Sequence, residues 1–316
     1  MAYNLYKLQF PLKKGKAVST ASERAERLAL EPMQESAPVL GLVKGTINSI
    51  KEIWEKRELL NLLVRREIRA KYKDSALGLL WSLIRPLIQL AIYYVVMGVF
   101  LGMRGYIPNF AIFIYTGITV WSLFQEIINM GTGSILANAG IVKKTHLPRE
   151  IFPLASVGSA LFNFAIQLAI LIVAVLCTSG FVWSVNFLHF PLAIAVVLVW
   201  AIAFAFLLSA LNVYFRDIQY LTEVVLMIGF YASPIIYSWT FVQPKISPFL
   251  QEVYLANPIT LSVMGTQRVM WNVDMPGAYP SYLAYRLLIS LGVGLVFLLI
   301  SHRIFSRLQR NFAQEM

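Results

Sequence analysis

The amino-acid sequence predicts an all-α polytopic membrane protein with six transmembrane helices. Hydrophobic residues make up 58% of the chain and charged residues only 14%, whereas charged residues form about a quarter of soluble domains. The 65 residues between Glu150 and Arg216 contain no Asp, Glu, Lys or Arg. Because about 20 apolar residues cross the hydrocarbon core, this stretch alone is long enough for two helices. Four shorter uncharged runs supply the other spans.

The predicted spans divide the chain into three regions. Residues 1–45 mix charged, small and proline residues without helical periodicity, which predicts a flexible cytoplasmic extension. Residues 46–75 form a predicted amphipathic interface helix, and residues 76–316 form the transmembrane domain. The six spans of that domain are predicted at residues 82–103, 108–130, 150–178, 189–212, 221–239 and 281–303.

Basic residues are distributed unevenly over the predicted connections. With six spans both termini lie on one side, and 23 of the 27 lysine and arginine residues fall on that side. Basic residues near spans are retained in the cytoplasm, so both termini are predicted to be cytoplasmic. The net charge of +11 is therefore a topology signal that also attracts anionic membrane lipids, and it predicts no nucleic-acid partner.

The predicted interface helix carries apolar side chains at helical spacing. Ile53, Leu60 and Val64 recur on one face, while arginine and lysine occupy the remaining faces. This pattern predicts a helix lying in the membrane interface, and a helix packed on a soluble partner is the alternative. Arg85, directly before Pro86, is a charged residue near the inner end of the first span, from where it can snorkel to the headgroups. The residues assigned to headgroups or the interface are Arg65, Arg66, Arg69 and Arg85.

The segment between the fifth and sixth spans is less apolar than a span but more apolar than an ordinary loop. Ser247-Pro248 and Asn257-Pro258 each place a capping side chain before a proline, which predicts two short helices. Neither is long enough to cross, so the sequence predicts a re-entrant outer helix pair. A loop lying flat on the surface is the alternative. The residues assigned to this outer gate are Ser247, Glu252, Asn257 and Arg268.

The sequence lacks the motifs of an autonomous pump or a metalloenzyme. It contains no G-x-x-x-x-G-K-[ST] phosphate loop, no H-E-x-x-H, three histidines and one cysteine. The lone cysteine, Cys177, forms neither an internal disulfide nor a cysteine-based metal site. We therefore predict no catalytic residue, no metal, no cofactor bound by this chain and no ATP hydrolysis by the chain alone.

Amide and aromatic side chains recur within the predicted spans. Amides hydrogen-bond hydroxyl groups and aromatic rings stack on sugar faces, so these residue types favour a path for a glycan. For Asn163 and Gln167, hydrogen bonding between helices is an equal alternative. For Tyr93, Tyr94 and Trp121, interfacial anchoring or core packing is the alternative. The residues assigned to the path are Gln89, Tyr93, Tyr94, Trp121, Phe124, Gln125, Asn163 and Gln167.

Short charged connections follow the second and fourth spans. Their size and ionic ends are typical of docking elements that transmit movement from a soluble partner to the helices. Anchoring of the topology by basic residues is the alternative. Glu126 and Glu223 lie near the inner ends of their spans, where pairing with a basic neighbour is expected. The residues assigned to coupling are Lys143, Lys144, His146, Arg149, Glu150, Arg216 and Asp217.

Several short motifs follow one another between residues 59 and 271. They are Lys71-Tyr72, Leu77-Gly78 with Trp81 and Pro86, Leu147-Pro148-Arg149-Glu150-Ile151, Asn212-Val213 with Arg216-Asp217, Ser233-Pro234 and Asn257-Pro258. On a six-span topology this succession resembles the ABC-2 type permeases that export polysaccharides, teichoic acids and O-antigen. The resemblance implies the membrane subunit of an ATP-binding-cassette exporter in the bacterial cytoplasmic membrane.

The resemblance also implies partners and cargo. It implies a homodimer that works with two copies of a separate ATPase subunit, which binds ATP and Mg²⁺. It implies a polyprenyl-diphosphate-linked glycan as cargo, with O-antigen, teichoic acid, capsule and cell-wall galactan all open. The alternatives are an ABC-2 type permease for drugs or hydrophobic small molecules, and a membrane enzyme acting on polyprenyl-phosphate substrates. Two features depart from the family pattern: the long segment before Ile53, and the charge of Arg85 before Pro86. Arg85 either meets a phosphate of the lipid carrier or snorkels to the inner headgroups.

Overall fold

The computed structural model describes residues 42–73, 78–144, 147–178, 185–271 and 277–316. Within these ranges the regular structure is helical and contains no strand, which confirms the predicted all-α class. The predicted flexible extension, residues 1–45, lies outside the described residues except for 42–45, which are helical.

Two helices precede the first span where one was predicted for residues 46–75. α1 covers Leu42–Glu55 and α2 covers Arg57–Tyr72. They are separated at Lys56, whose φ of −95° and ψ of 17° depart from helical geometry. The periodicity of apolar residues continues across this break, so the sequence pattern alone does not reveal it.

In the described part of the chain, the longer helices after α2 form the membrane bundle. In chain order they are α3 (Trp81–Tyr93), α4 (Phe110–Ala137), α5 (Ile151–Thr178), α6 (His189–Tyr214), α7 (Ile218–Tyr231), α8 (Pro248–Ala256), α9 (Pro258–Met270) and α10 (Leu283–Leu308). Five of them are long and apolar enough to cross a membrane: α3 with its π-helical continuation over Tyr94–Phe100, α4, α5, α6 and α10. The chain is therefore a polytopic membrane protein.

The fifth predicted span, residues 221–239, is a shorter helix than expected. α7 ends at Tyr231, shortly before Pro234, because a proline cannot continue the helix and restricts the residue before it. The 14 residues of α7 rise about 21 Å, which is less than the hydrocarbon core of about 30 Å. The apolar residues that follow, such as Ile235 and Trp239, are buried by neighbouring helices instead of continuing the helix.

Both short helices predicted between the last two spans are present. Ser247 Oγ accepts a hydrogen bond from the amide of Leu250 at 3.4 Å, and Asn257 Oδ1 accepts one from Ile259 at 3.0 Å. Both side chains therefore cap their helices as expected. α8 is largely exposed, whereas α9 is buried along most of its length against α4, α6 and α10. α9 is thus part of the core.

An apolar cluster lies at each end of the helix bundle. At one end, called the basic end because most of the basic residues are predicted there, α2, the segment 138–144 and the C-terminal segment share a cluster that includes Leu63, Val142 and Phe312. At the far end lies a second apolar cluster, which includes Trp239 and Leu255. α2 and the C-terminal segment therefore lie at the same end of the bundle.

α2 packs on the bundle through the apolar face that the sequence assigned to the membrane interface. Leu63 is buried, and Val64 lies directly over Gly158 of α5. A Cβ atom at Gly158 would come within 2.6 Å of Val64 Cγ2, so glycine is what allows this close approach. Trp54 on α1 remains 70% exposed, as an interfacial anchor would be.

We expect the stability of this region to depend on pH through Glu67 of α2. Glu67 Oε2 is buried without a hydrogen-bond partner among the described residues, and burial raises the pKa of Glu67 from 4.5 to about 7. The folded protein therefore holds this proton more tightly than the unfolded chain. The contribution of Glu67 to stability is present below pH 4.5 and is lost as the pH rises through about 7.

Thermal unfolding of the detergent-purified protein at about pH 5 and pH 8 measures this effect. Glu67→Gln is expected to narrow the difference between the two melting temperatures. Glu58→Gln, an exposed position on the same helix, is the control and should leave it unchanged. An equal pH response in both variants would contradict the role of Glu67.

Candidate functional site

A polar cavity of about 770 Å³ lies between α2, α3, α4 and α5 in the half of the bundle near the basic end. Its volume falls within the range of small-molecule sites, and each wall comes from a different helix. The lining residues are Lys71, Tyr72, Trp81, Ser82, Arg85, Pro86, Gln89, Ser122, Gln125, Glu126, Asn129, Met130, Asn163 and Gln167. Four of the residues predicted for the glycan path therefore meet here: Gln89, Gln125, Asn163 and Gln167.

α4 contributes a stripe of polar side chains to this cavity. Ser122, Gln125, Glu126 and Asn129 are separated by three and four residues, which places them on one face of the helix. Of these residues only Gln125 was predicted for the path, whereas Ser122 and Asn129 were not. The spacing of these polar residues within an otherwise apolar span is the signal that would have found them.

A chain of hydrogen bonds connects α2 to α4 and α5 at the edge of the cavity. Lys71 Nζ lies 2.6 Å from Glu126 Oε1, and this oxygen also accepts a hydrogen bond from Asn163 Nδ2. The hydroxyl of Tyr72 donates to Asn163 Oδ1 at 2.7 Å. Glu126 thus pairs with a basic residue, as expected, although the partner comes from α2. Both ends of the Asn163 amide are used between helices, which is the structural alternative considered for this residue.

Two amide oxygens in the cavity wall have no hydrogen-bond partner among the residues that the structure describes. Gln167 is 4% exposed, and its Oε1 is buried and unpaired. Oδ1 of Asn129, on the wall formed by α4, is also buried and unpaired. A buried acceptor without a donor is unfavourable by about 1–3 kcal/mol, so both oxygens are suited to a ligand that donates hydrogen bonds.

The aromatic residues predicted for the path lie outside the polar cavity. Trp121 and Phe124 belong to the main apolar core and line a separate apolar pocket of about 300 Å³ between α4, α6 and α7. Tyr93 stacks on Phe230 with ring centroids 5.6 Å apart. Tyr94 packs on the phenylalanine that begins α4. α4 therefore lies between a polar space and an apolar one. Trp121 and Gln125 meet at the border of the two, where the indole Nε1 donates a hydrogen bond to Gln125 Oε1 at 3.0 Å.

The arginines assigned to headgroups have different environments. The guanidinium of Arg85 lies 5.9 Å from the Trp81 ring at the exposed edge of the cavity. Arg66 donates a hydrogen bond to Asn138 after α4, so it fixes α2 to the bundle. Arg65 and Arg69 are exposed.

Most of the residues assigned to coupling lie at the basic end in two different settings. His146 lies outside the described residues. Arg149 stacks over the Phe312 ring at 5.7 Å, and Glu150 is 3% exposed. Glu150 Oε1 accepts a hydrogen bond from Gln309 at 3.1 Å and lies 3.8 Å from Nε2 of the histidine at position 302. The exposed members of the set are Lys143, Lys144, Arg216 and Asp217.

The residues assigned to the outer gate lie at the far end and make fixed contacts. Glu252 of α8 forms a bidentate ion pair with Arg286 of α10, whose two terminal guanidinium nitrogens lie 2.7 and 2.8 Å from the two carboxylate oxygens. Arg268 of α9 donates to Asn186 Oδ1 at 3.1 Å and lies over the Tyr279 ring. Ser247 and Asn257 act as the helix caps described above.

A profile of ABC-2 type transporters matches residues 58–271. This chain belongs to the ABC-2 type transporter family. The matched range begins in α2 and ends just after α9, so it includes the whole polar cavity and the exposed connections at the basic end. In this family the membrane permease pairs with a nucleotide-binding subunit that is a separate ATPase. The permease is therefore not an enzyme by itself.

Several curated proteins are similar to the permease over most of their length. O-antigen export system permease protein RfbA of Myxococcus xanthus is 28% identical over 271 residues, covering 85% of this chain and 100% of the relative. RfbA of Klebsiella pneumoniae is 27% identical over 262 residues, covering 81% and 94%. Polysialic acid transport protein KpsM of Escherichia coli is 25% identical over 245 residues, covering 74% and 89%.

Permeases of this family carry no cofactor. Among the described residues, no group of three or more His, Cys, Asp or Glu side chains is arranged to hold a metal ion. The chemistry available in the permease is therefore that of hydrogen bonds, aromatic faces and a few ion pairs.

Proposed function

We propose that this permease is the transmembrane subunit of an ATP-driven exporter that moves a polyprenyl-diphosphate-linked polysaccharide from the cytoplasm to the outer face of the bacterial cytoplasmic membrane. The polar cavity is the observation that carries the proposal. It brings amide side chains from three membrane helices together, with the acceptor oxygens of Gln167 and Asn129 unpaired among the described residues. Sugar hydroxyl groups supply the donors that these oxygens lack.

The relatives support the same cargo class. Two of them are named as O-antigen export permeases and one as a polysialic acid transport protein, and each is covered over at least 89% of its length. The specific glycan differs among these proteins. O-antigen, teichoic acid, capsule and cell-wall galactan all fit the general proposal.

The proposed assembly is a homodimer with two ATPase subunits bound at the basic end, which faces the cytoplasm together with both termini. The excess of basic residues at this end supports that orientation. Lys143, Lys144, Arg216 and Asp217 are exposed there and are suited to docking a soluble subunit. Glu252, Arg268 and their partners would hold the outer gate closed at the opposite face.

The purified permease alone is expected to show no ATPase activity and to stimulate the activity of its cognate ATPase subunit. Lys143→Glu combined with Lys144→Glu should reduce that stimulation more than about tenfold, because two docking cations become anions. Arg104→Glu is the matched control, since Arg104 is exposed at the opposite end of the first span. ATP hydrolysis by the permease alone would overturn the proposal, as would glycan export that continues in cells depleted of it.

An exporter of drugs or hydrophobic small molecules is the second candidate function. The apolar pocket of about 300 Å³ favours it, since aromatic rings of Trp121, Phe124 and Phe204 line a space inside the membrane bundle. Under this function Trp121→Ala would change drug resistance and leave surface glycan intact. Under the proposed polysaccharide function the same variant leaves drug resistance unchanged.

A further inference from the structure

The charge of the polar cavity indicates what kind of glycan it accepts. Among the described residues that line it, only Lys71, Arg85 and Glu126 are ionisable at neutral pH. Lys71 and Glu126 form an ion pair at 2.6 Å and neutralise each other. Within this lining, Arg85 alone is left without a carboxylate, and it lies at the exposed edge over the Trp81 ring.

The interior of the cavity is lined by uncharged polar groups. Gln89, Gln125, Asn129 and Gln167 each carry an amide, which presents both donors and an acceptor. The unpaired oxygens of Asn129 and Gln167 require hydrogen-bond donors. A sugar hydroxyl can donate to them, whereas a carboxylate, sulfate or phosphate oxygen only accepts and would face them unfavourably.

An anionic polymer would also bury many charges in this space. A charged group that leaves water needs a paired cation or a dense set of donors, because the desolvation penalty is otherwise not offset. The described lining provides one uncompensated cation, Arg85, at its edge and none along its amide-lined walls. Its cationic side chains therefore compensate at most one anionic group at a time.

We infer that the glycan segment accepted by this cavity is uncharged and rich in hydroxyl groups, and not a polymer with an acidic group on each sugar. This inference rests on the proposed function, because it concerns the cargo of the same cavity. Polysialic acid, for which one relative of the permease is named, carries a carboxylate on each sugar and belongs to the class of polymer that this cavity disfavours.

The test compares two lipid-linked probes in proteoliposomes that contain the permease and its ATPase subunit. One probe is a polyprenyl-diphosphate-linked hexose oligosaccharide, and the other is the matched hexuronate oligosaccharide on the same lipid. ATP-dependent appearance of the hexose probe on the opposite face is expected to be more than about tenfold faster than that of the hexuronate probe. Equal rates would overturn the inference and leave the proposed function intact. Movement of neither probe would overturn the proposed function.

Variants of the cavity wall provide a second readout. Asn129→Lys adds a cation to the amide-lined wall, so it should raise the rate for the hexuronate probe relative to the hexose probe by about tenfold. Asn311→Lys adds the same charge at an exposed position near the C-terminus and should leave the ratio unchanged. The ratio is measured only on variants that remain monodisperse. An unchanged ratio in folded Asn129→Lys would also overturn the inference.

Discussion

Gly294→Leu is expected to prevent most of the permease from folding, whereas Gly292→Leu on the same helix is expected to be tolerated. A Cβ atom at Gly294 would lie 2.7 Å from Nε1 and 2.9 Å from Cδ1 of Trp200. The indole cannot move away easily, because Nε1 donates a hydrogen bond to the Ser290 carbonyl at 3.0 Å. Extra methylene groups in a close-packed core cost about 1–3 kcal/mol, and a leucine adds several.

Gly292 makes this comparison a matched one. It lies two positions before Gly294 on α10 and is exposed, and a Cβ atom added to it would meet no heavy atom within 4 Å among the described residues. Size-exclusion chromatography and thermal unfolding of both variants in detergent measure the difference. Similar yields and melting temperatures for the two leucine variants would show that the close contact between α6 and α10 is not required.

Glu150→Lys is the second substitution for which we expect a large effect. Glu150 is 3% exposed directly before α5, so lysine would place a cation in the same buried space. Arg149 is its neighbour, and the amide of Gln309 would lose its acceptor. An unpaired buried charge costs about 3–5 kcal/mol, which is a large part of the stability of an ordinary domain.

Glu150→Gln is the informative partner of that variant. Burial raises the pKa of Glu150 above its usual range, so the folded protein holds this proton more tightly than the unfolded chain does. A glutamine keeps the shape and the acceptor for Gln309 without the charge. We expect Glu150→Gln to melt within a few degrees of the natural protein and to lose less stability as the pH rises. Equal destabilisation by Gln and Lys would contradict this account.

The long membrane helices could be predicted because charges end the apolar runs that form them. The end of α4 was predicted at residue 130 but lies at Ala137. Gly131 and Gly133 look like helix breakers in the sequence, yet Gly131 lies against Ala205 of α6, where a Cβ would approach to 2.7 Å. Close helix packing in a membrane favours glycine within a helix, and only the tertiary structure reveals that reason.

The polar cavity was predicted in part. Amide side chains within apolar spans are costly and therefore informative, which is why Gln89, Gln125 and Gln167 were identified from residue type alone. Tyr72 was not among the residues predicted for the path, and its hydrogen bond to Asn163 joins positions 91 residues apart. No local pattern carries that information, because it depends on how α2 packs against the bundle.

Part of the separation between the aromatic residues and the amides of α4 could have been predicted from their spacing in the sequence. On a helix, Phe124 falls on a different face from Ser122 and Asn129, whereas Trp121 lies one turn before Gln125 and donates a hydrogen bond to it. Residue chemistry alone groups all of these side chains together. The structure assigns Phe124 and Trp121 to the apolar pocket and Ser122, Gln125 and Asn129 to the polar cavity.

The position of α4 between a polar space and an apolar one limits how the permease can move. Rotation of α4 about its axis would carry the carboxylate of Glu126 toward the apolar pocket and the ring of Trp121 toward the polar cavity. Both changes are unfavourable. α2 is held by the apolar packing of Leu63 and Val64 and by its polar contacts with Glu126 and Asn163. α3, by contrast, is largely exposed and continues into an irregular π-helical segment, so it is the wall of the polar cavity that its neighbours constrain least.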